Sequence, residues 1–277
     1  MKHAILTCLY VSATIVALCF LLLPIVAIFA HTTPGNLLDQ LSNPVVTDAL
    51  IVSFKTSAIA QAMIVLFGTP TAYLVATHRF RGRNAVITLI ELPLVLPPAV
   101  AGVGLLAAFG HFGLLGSTFE AFGIQLPFTQ AAVTVAVAYV ASPLYIRQAI
   151  AAFEAVDRRL TSASRTLGAG PARTFFRISL PLARGGLIAG LALSFARGLG
   201  EFGATIMFAG SLQKVTQTLP LAIYSEFDQD FDATLAMSGV LVLISVILLL
   251  GLRIGLSWRS NSSSSRSGFL FGPSPSN

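Results

Sequence analysis

Six long apolar stretches dominate the pattern of hydrophobic and polar positions along the chain. A helix needs roughly 20 residues to cross the hydrocarbon of a bilayer, and each stretch is long enough. They lie at residues 5–30, 50–76, 91–110, 129–153, 185–210 and 233–256. Of the 277 residues, 55% are hydrophobic and only 10% are charged, which favours a membrane protein over a soluble domain. The pattern predicts an all-α polytopic membrane protein with six transmembrane helices.

These stretches divide the chain into three predicted parts. Residues 1–49 would hold the first transmembrane helix and an outer loop. Residues 50–256 would form a five-helix core that contains a basic loop at 154–181. Residues 257–277 are rich in Ser, Gly and Pro, a composition typical of a disordered tail.

The distribution of cations predicts the orientation in the membrane. Lysine and arginine occur before the first stretch, between the second and third, between the fourth and fifth, and at or after the end of the sixth. The other three connections share one cation, Lys214. Because Lys and Arg accumulate on the cytoplasmic side, both termini are predicted to be cytoplasmic. The net charge of +6 is thereby explained by topology, and no nucleic-acid partner is expected.

The basic segment, residues 154–181, is predicted to form a helix, a glycine hinge and a second helix in water. Val156, Leu160, Ala163 and Leu167 follow one another at helical spacing as an apolar stripe. Residues 168–170 (Gly-Ala-Gly) then favour a turn, and Pro171 suits the first turn of the next helix. One interpretation is an interfacial loop whose arginines hold anionic lipid. The other is a docking surface for a soluble partner.

The spacing of residues within the basic segment resembles the cytoplasmic signature of ABC importer permeases. That signature is Glu-Ala-Ala, three residues, Gly, nine residues, then Ile-x-Leu-Pro. The chain has Ser162 where the glutamate is expected, so the salt bridge of that glutamate is not expected either. The resemblance implies a loop that couples to an ATPase through Ser162, Ala163, Ser164, Arg165, Thr166, Leu167, Gly168, Ala169, Phe175, Ile178, Leu180 and Pro181.

Three spans carry unusual residues for a membrane helix. Prolines at 93, 97 and 98 predict that the third span is kinked or interrupted, either as packing or beside a path. Arg197 and Glu201 lie one helical turn apart in the fifth span, where mutual neutralisation is the expected first role. Lys55 in the second span is expected to snorkel or pair, with direct contact to substrate as the alternative. Candidate path residues are Pro97, Pro98, Arg197, Gly200, Glu201, Phe202 and Gly203.

Residues 91–102, 194–210 and 216–224 look like the permease subunit of molybdate importers, in the order of that family. Sulfate and thiosulfate permeases are close relatives, and tungstate is not distinguished from molybdate. The resemblance implies a type I ABC importer permease fold in the bacterial inner membrane. It also implies a homodimer with the path on its two-fold axis, two cytoplasmic ABC ATPase subunits docked around Gly168, and an extracytoplasmic oxyanion-binding protein.

The sequence also addresses whether the chain acts alone. It contains no G-x-x-x-x-G-K-[ST] phosphate loop, so hydrolysis of ATP is assigned to a partner and the chain is not expected to be an enzyme. Its four histidines are scattered near span ends, and no catalytic residue, metal site or cofactor is predicted. A secondary transporter or channel remains the alternative from another class. It would need more ionisable groups at mid-depth than the two identified, Arg197 and Glu201.

Overall fold

The computed structural model describes residues 2–264, which form thirteen α-helices, one π-turn and no strand. The α-helices are α1 Lys2–His31, α2 Pro34–Leu41, α3 Pro44–Thr77, α4 Arg83–Val95, α5 Pro98–Phe109, α6 Gly116–Ala121, α7 Gln130–Glu154, α8 Arg158–Thr166, α9 Pro171–Thr174, α10 Leu180–Leu199, α11 Gly203–Ala209, α12 Leu219–Glu226 and α13 Phe231–Ser264. The π-turn, Phe175–Ser179, joins α9 to α10. Five helices in this range are long and apolar enough to span a membrane, and α4 with α5 makes a sixth if the bent pair is counted as one.

The third span differs most from its prediction. In place of one kinked helix over 91–110, α4 and α5 meet at an angle of 111°. The break falls at Leu96 and Pro97, whose ψ angles of 134° and 133° are extended. Each of these residues precedes a proline, and a residue before proline is driven out of the helical region. Pro93, by contrast, is accommodated inside α4.

The centre of the bundle is α7, which packs against α3, α10 and α11. Small residues bring these helices together: a Cβ placed on Gly186 would lie 2.5 Å from the Cβ of Ala152, and one on Gly190 would lie 2.9 Å from that of Gln148. Helix α1 lies at the edge of the bundle beside α13. None of its spanning window is buried, as expected of a helix that faces lipid.

The fifth span begins earlier and ends earlier than predicted. Helix α9, the π-turn and α10 run without a break from Pro171 to Leu199, so the second helix of the basic segment is the N-terminal end of this span. The π-turn accommodates Pro181, which has no N–H, and the N–H of Leu180 reaches back to the carbonyl of Phe175. The span then breaks at residues 200–202 before α11.

The last helix, α13, continues to Ser264. It therefore extends eight residues into the stretch 257–277 for which the sequence predicted disorder. The rest of that stretch, 265–277, lies outside the described residues.

Candidate functional site

The basic segment contains the predicted glycine turn, at residues 167–170. The Asp157 carboxylate caps the start of helix α8 by accepting a hydrogen bond from the N–H of Arg159 at 2.8 Å. It ends where the N–H of Ala169 donates to the carbonyl of Ser164, with Gly168 at φ +83°. No atom lies within 4 Å of a Cβ placed on Gly168. Glycine is needed there for its left-handed backbone and not for lack of space.

One hydrogen bond holds the two halves of the basic segment together, and ring contacts of Phe175 anchor the segment to the bundle. The hydroxyls of Ser164 and Thr174, both buried, lie 3.1 Å apart and tie α8 to α9. The ring of Phe175 packs edge-on against Tyr73 of α3, at a centroid distance of 4.7 Å, and lies 6.1 Å from the ring of Phe153 at the inner end of α7. The segment is therefore held by its second half, and the α8–α9 turn projects from it.

The projecting turn presents apolar side chains to the outside of the chain. Leu167 is 87% exposed and Leu160 is 49% exposed, whereas Val156 packs against the core. The predicted apolar stripe thus has only one end covered by this chain. Of the predicted coupling residues, the buried one is Ser164, the half-buried ones are Ala169, Phe175, Ile178 and Leu180, and the exposed ones are Ser162, Ala163, Arg165, Thr166, Leu167, Gly168 and Pro181.

The predicted pairing of Arg197 with Glu201 is confirmed. The Arg197 Nη1 lies 2.7 Å from the Glu201 Oε2, although no N–H points at that oxygen with the geometry of a hydrogen bond. Glu201 is 2% exposed, and its Oε1 accepts the N–H of Ala204 at 2.8 Å, so it also caps the start of α11. The Arg197 side chain is 32% exposed. The pair lies beside the α10–α11 break, and its two opposite charges give it no net charge.

The two broken spans meet at this pair. A Cβ placed on Gly203 would lie 2.8 Å from the Cβ of Pro98, and one on Gly102 would lie 2.7 Å from the carbonyl oxygen of Ala204. The ring of Phe202 contacts the ring of Tyr224 of α12, with the centroids 5.1 Å apart and the planes tilted by 55°. The structure therefore brings five of the seven candidate path residues together. The other two, Pro97 and Gly200, are exposed next to them.

Two ion pairs between α4 and α7 were not predicted. Arg83 pairs with Glu154, and the Arg147 Nε lies 3.1 Å from the Glu91 Oε1. The sequence placed Glu91 at the first residue of the third span. In the structure α4 begins eight residues earlier, so Glu91 lies within a helix. The available signal was a carboxylate and an arginine near the inner ends of consecutive spans. Lys55 follows the pairing alternative, since its Nζ donates to Gln130 Oε1 at 2.8 Å.

Comparison with known proteins places these features in a family. The profile of the binding-protein-dependent transport system inner membrane component family matches residues 64–256. The chain is 40% identical over 237 residues to the molybdenum transport system permease protein ModB of Mycobacterium tuberculosis, covering 86% of this chain and 90% of that one. It is 35% identical to the probable transport system permease protein NifC of Clostridium pasteurianum, covering 91% and 88%. It is 42% identical to ModB of Escherichia coli K12, covering 64% and 78%.

Solved structures share the fold at low identity. A bacterial ABC transporter that imports alginate superposes with a TM-score of 0.61 at 14% identity, covering 93% of this chain and 97% of that chain. A methionine ABC transporter in an inward-facing conformation gives 0.57 at 18% identity, covering 77% and 93%. The predicted importer-permease fold is confirmed.

Proposed function

The chain belongs to the family of binding-protein-dependent transport system inner membrane components, and from that membership we propose that it is the permease subunit of an ATP-driven importer of molybdate. The observation that supports molybdate as the substrate is the match, over most of both chains, to the molybdenum transport permeases of Mycobacterium tuberculosis and Escherichia coli. Residues 50–256 would form the permease core, with the basic segment as its coupling loop.

The Arg197–Glu201 pair makes an anion path physically reasonable. A bare carboxylate at mid-depth would repel a dianion, but this carboxylate faces a guanidinium at 2.7 Å and is buried. Arg197 remains one-third exposed, so its charge can still act on a passing anion while Glu201 limits how tightly it holds it. The adjoining contacts of Pro98 with Gly203 would set the width of the path at this level.

The partners of this permease are proposed from its family membership, with one exposed surface in support. The apolar tip at Leu167 and Leu160, ringed by arginines, has the character of a docking element. We assign it to a cytoplasmic ABC ATPase, one on each permease of a homodimer. An extracytoplasmic oxyanion-binding protein would deliver the substrate on the other side, and both termini would be cytoplasmic. The loop has Ser162 in place of the glutamate of the family signature. The Ser164–Thr174 hydrogen bond would stabilise the loop in its absence.

Reconstitution tests this function directly. The purified permease, with and without its ATPase subunit, is placed in proteoliposomes with ATP inside and the binding protein outside, and uptake of radiolabelled molybdate is followed. We expect uptake only with both partners, with competition by tungstate and weaker competition by sulfate. Uptake without the ATPase would support a secondary transporter or channel. Preferred uptake of sulfate would move the chain to the sulfate and thiosulfate permeases.

A further inference from the structure

Helices α4 and α7 are connected by two ion pairs at different depths. Arg83 at the start of α4 meets Glu154 at the end of α7, and Glu91 meets Arg147 farther along both helices. Eight residues of α4 separate the first pair from the second, about 12 Å at 1.5 Å per residue. On α7 the separation is seven residues, about 10 Å. The second pair therefore lies well inside the inner end of the span.

The Glu91–Arg147 pair also lies next to the broken third span. Glu91 lies four residues, about 6 Å, before the end of α4 at Val95, and Pro97 follows two residues later. Pro98, the next residue, is in contact with Gly203, two residues after Glu201. The Glu91–Arg147 and Arg197–Glu201 pairs therefore border the same broken helix at two levels, one at the break and one closer to the cytoplasmic end.

The geometry of Arg147 leaves most of its donors free. Its Nε lies 3.1 Å from the Glu91 Oε1, and among the described residues no hydrogen bond from either Nη group is found. The Arg147 side chain is 60% exposed and that of Glu91 is 35% exposed. An arginine this exposed at such a depth is costly against lipid tails and is usually found facing water or another protein group. The ion pair holds the guanidinium at the level of α4.

We propose that Arg147, positioned by Glu91, is a second binding site for the transported tetrahedral oxyanion, on the cytoplasmic side of the Arg197–Glu201 pair. The proposal rests on the proposed function, since it names a further site on the same path. The free guanidinium edge fits two oxygens of a tetrahedral dianion in a bidentate arrangement. Glu91 keeps the site close to neutral when it is empty, which favours release into the cytoplasm over tight retention.

Neutralising the site should slow transport strongly without unfolding the protein. Arg147→Gln is expected to reduce the maximal rate of molybdate uptake at least tenfold in the reconstituted complex, and Arg147→Lys is expected to restore only part of it, because an ammonium lacks the planar fork. Arg81→Gln, which removes an exposed arginine from the loop before α4, is the matched control and should transport like the unmodified chain.

A double substitution separates a binding site from a structural clamp. Replacing Glu91 by Leu and Arg147 by Met removes both charges, and stability should change little because ion pairs this exposed contribute only about 0–1 kcal/mol. If the pair only holds α4 on α7, this variant transports normally, which would overturn the proposal. If Arg147 binds the anion, the variant folds, keeps its ATPase subunit and transports at least tenfold more slowly.

Labelling gives a readout that does not depend on transport. Leu144→Cys, one turn deeper on α7, is made in a chain with Cys8 and Cys19 changed to Ser. A membrane-impermeant maleimide added from the cytoplasmic side should label it, and molybdate should slow labelling at least threefold. No labelling, or labelling unaffected by molybdate, would overturn the proposed site. If the unmodified complex carries no molybdate at all, the proposed function fails, and that outcome is distinct from either failure of the site.

Discussion

The two glycine-containing breaks on either side of α10 use glycine for opposite reasons. In the α8–α9 turn, Gly168 has φ +83° and Gly170 follows, and no atom lies within 4 Å of a Cβ placed on either. Around the α10–α11 break, Gly198 and Gly203 have ordinary φ angles but no room, since a Cβ on either would lie 2.8 Å from Val137 Cγ1 or Pro98 Cβ respectively. One break is open and conformationally demanding, and the other is crowded.

This difference separates the two tasks of the chain. The open turn projects Leu167 and leaves its apolar surface exposed, which is where the proposed function places the ATPase subunit. The crowded break surrounds a buried carboxylate and packs two broken spans against each other, so it holds charges at a fixed distance. A substitution in the open turn should therefore affect association with a partner, whereas one in the crowded break should affect stability first.

The largest effect is expected from Arg197→Ala, which leaves Glu201 buried without its partner. Breaking a buried ion pair costs about 3–5 kcal/mol, so the unfolding temperature of the detergent-purified protein should fall sharply and uptake should be lost. Glu201→Gln is the matched control, because it keeps an acceptor for the N–H of Ala204 while removing the charge. It should fold and show altered transport. Arg197→Ala membranes with normal uptake would contradict this role.

Crowding at the second break is tested by Gly203→Ala. The new methyl group would lie 2.8 Å from the Pro98 Cβ and 3.1 Å from the Ala99 backbone nitrogen. Because α5 must shift to admit it, we expect a loss of about 1–3 kcal/mol, measured as a lower unfolding temperature. Gly104→Ala, at a position on α5 where a Cβ meets nothing within 4 Å, provides the comparison. Equal stability of the two variants would show that the contact with Pro98 is not tight.

Gly168→Val tests the open turn. The left-handed backbone costs a residue with a side chain about 1–2 kcal/mol, so the variant should insert and fold with a small loss of stability. Its turn should be distorted, and we expect weaker retention of the ATPase subunit on an affinity column and reduced uptake. Gly170→Val is the control, because its φ of −65° suits any residue. Full retention and uptake with Gly168→Val would argue against docking at this turn.

The smallest effect on stability is expected from Leu167→Ser. The side chain is 87% exposed and makes no core contact, so the unfolding temperature should not change. Its effect should appear only in the complex, as faster dissociation of the ATPase subunit measured by surface binding. Leu182→Ser, also exposed but on α10, serves as the control for loss of an apolar surface residue. A clear loss of stability in Leu167→Ser, with no loss in Leu182→Ser, would show that the Leu167 side chain supports the fold of this chain and would contradict its assignment to docking.

Most of the span layout was predictable because hydrophobic length decides it. The glycine turn at 168 and the Arg197–Glu201 pair were predictable too, since both are set by residues close in sequence. Which proline breaks the third span was not evident: Pro93 stays helical, and the consecutive prolines at 97 and 98 force two extended residues. The Glu91–Arg147 pair depends on how α4 rotates against α7, and residues 56 apart carry no local signal of it.

The uninterrupted helix from Pro171 to Leu199 has a mechanical consequence. Over 29 residues it is about 43 Å long, and it joins the foot of the α8–α9 turn to the residue pair beside the α10–α11 break with no flexible linker between them. A displacement imposed at its N-terminal end would therefore reach Arg197 largely as rigid motion. The π-turn is the one irregular place in this helix where part of that displacement would be lost.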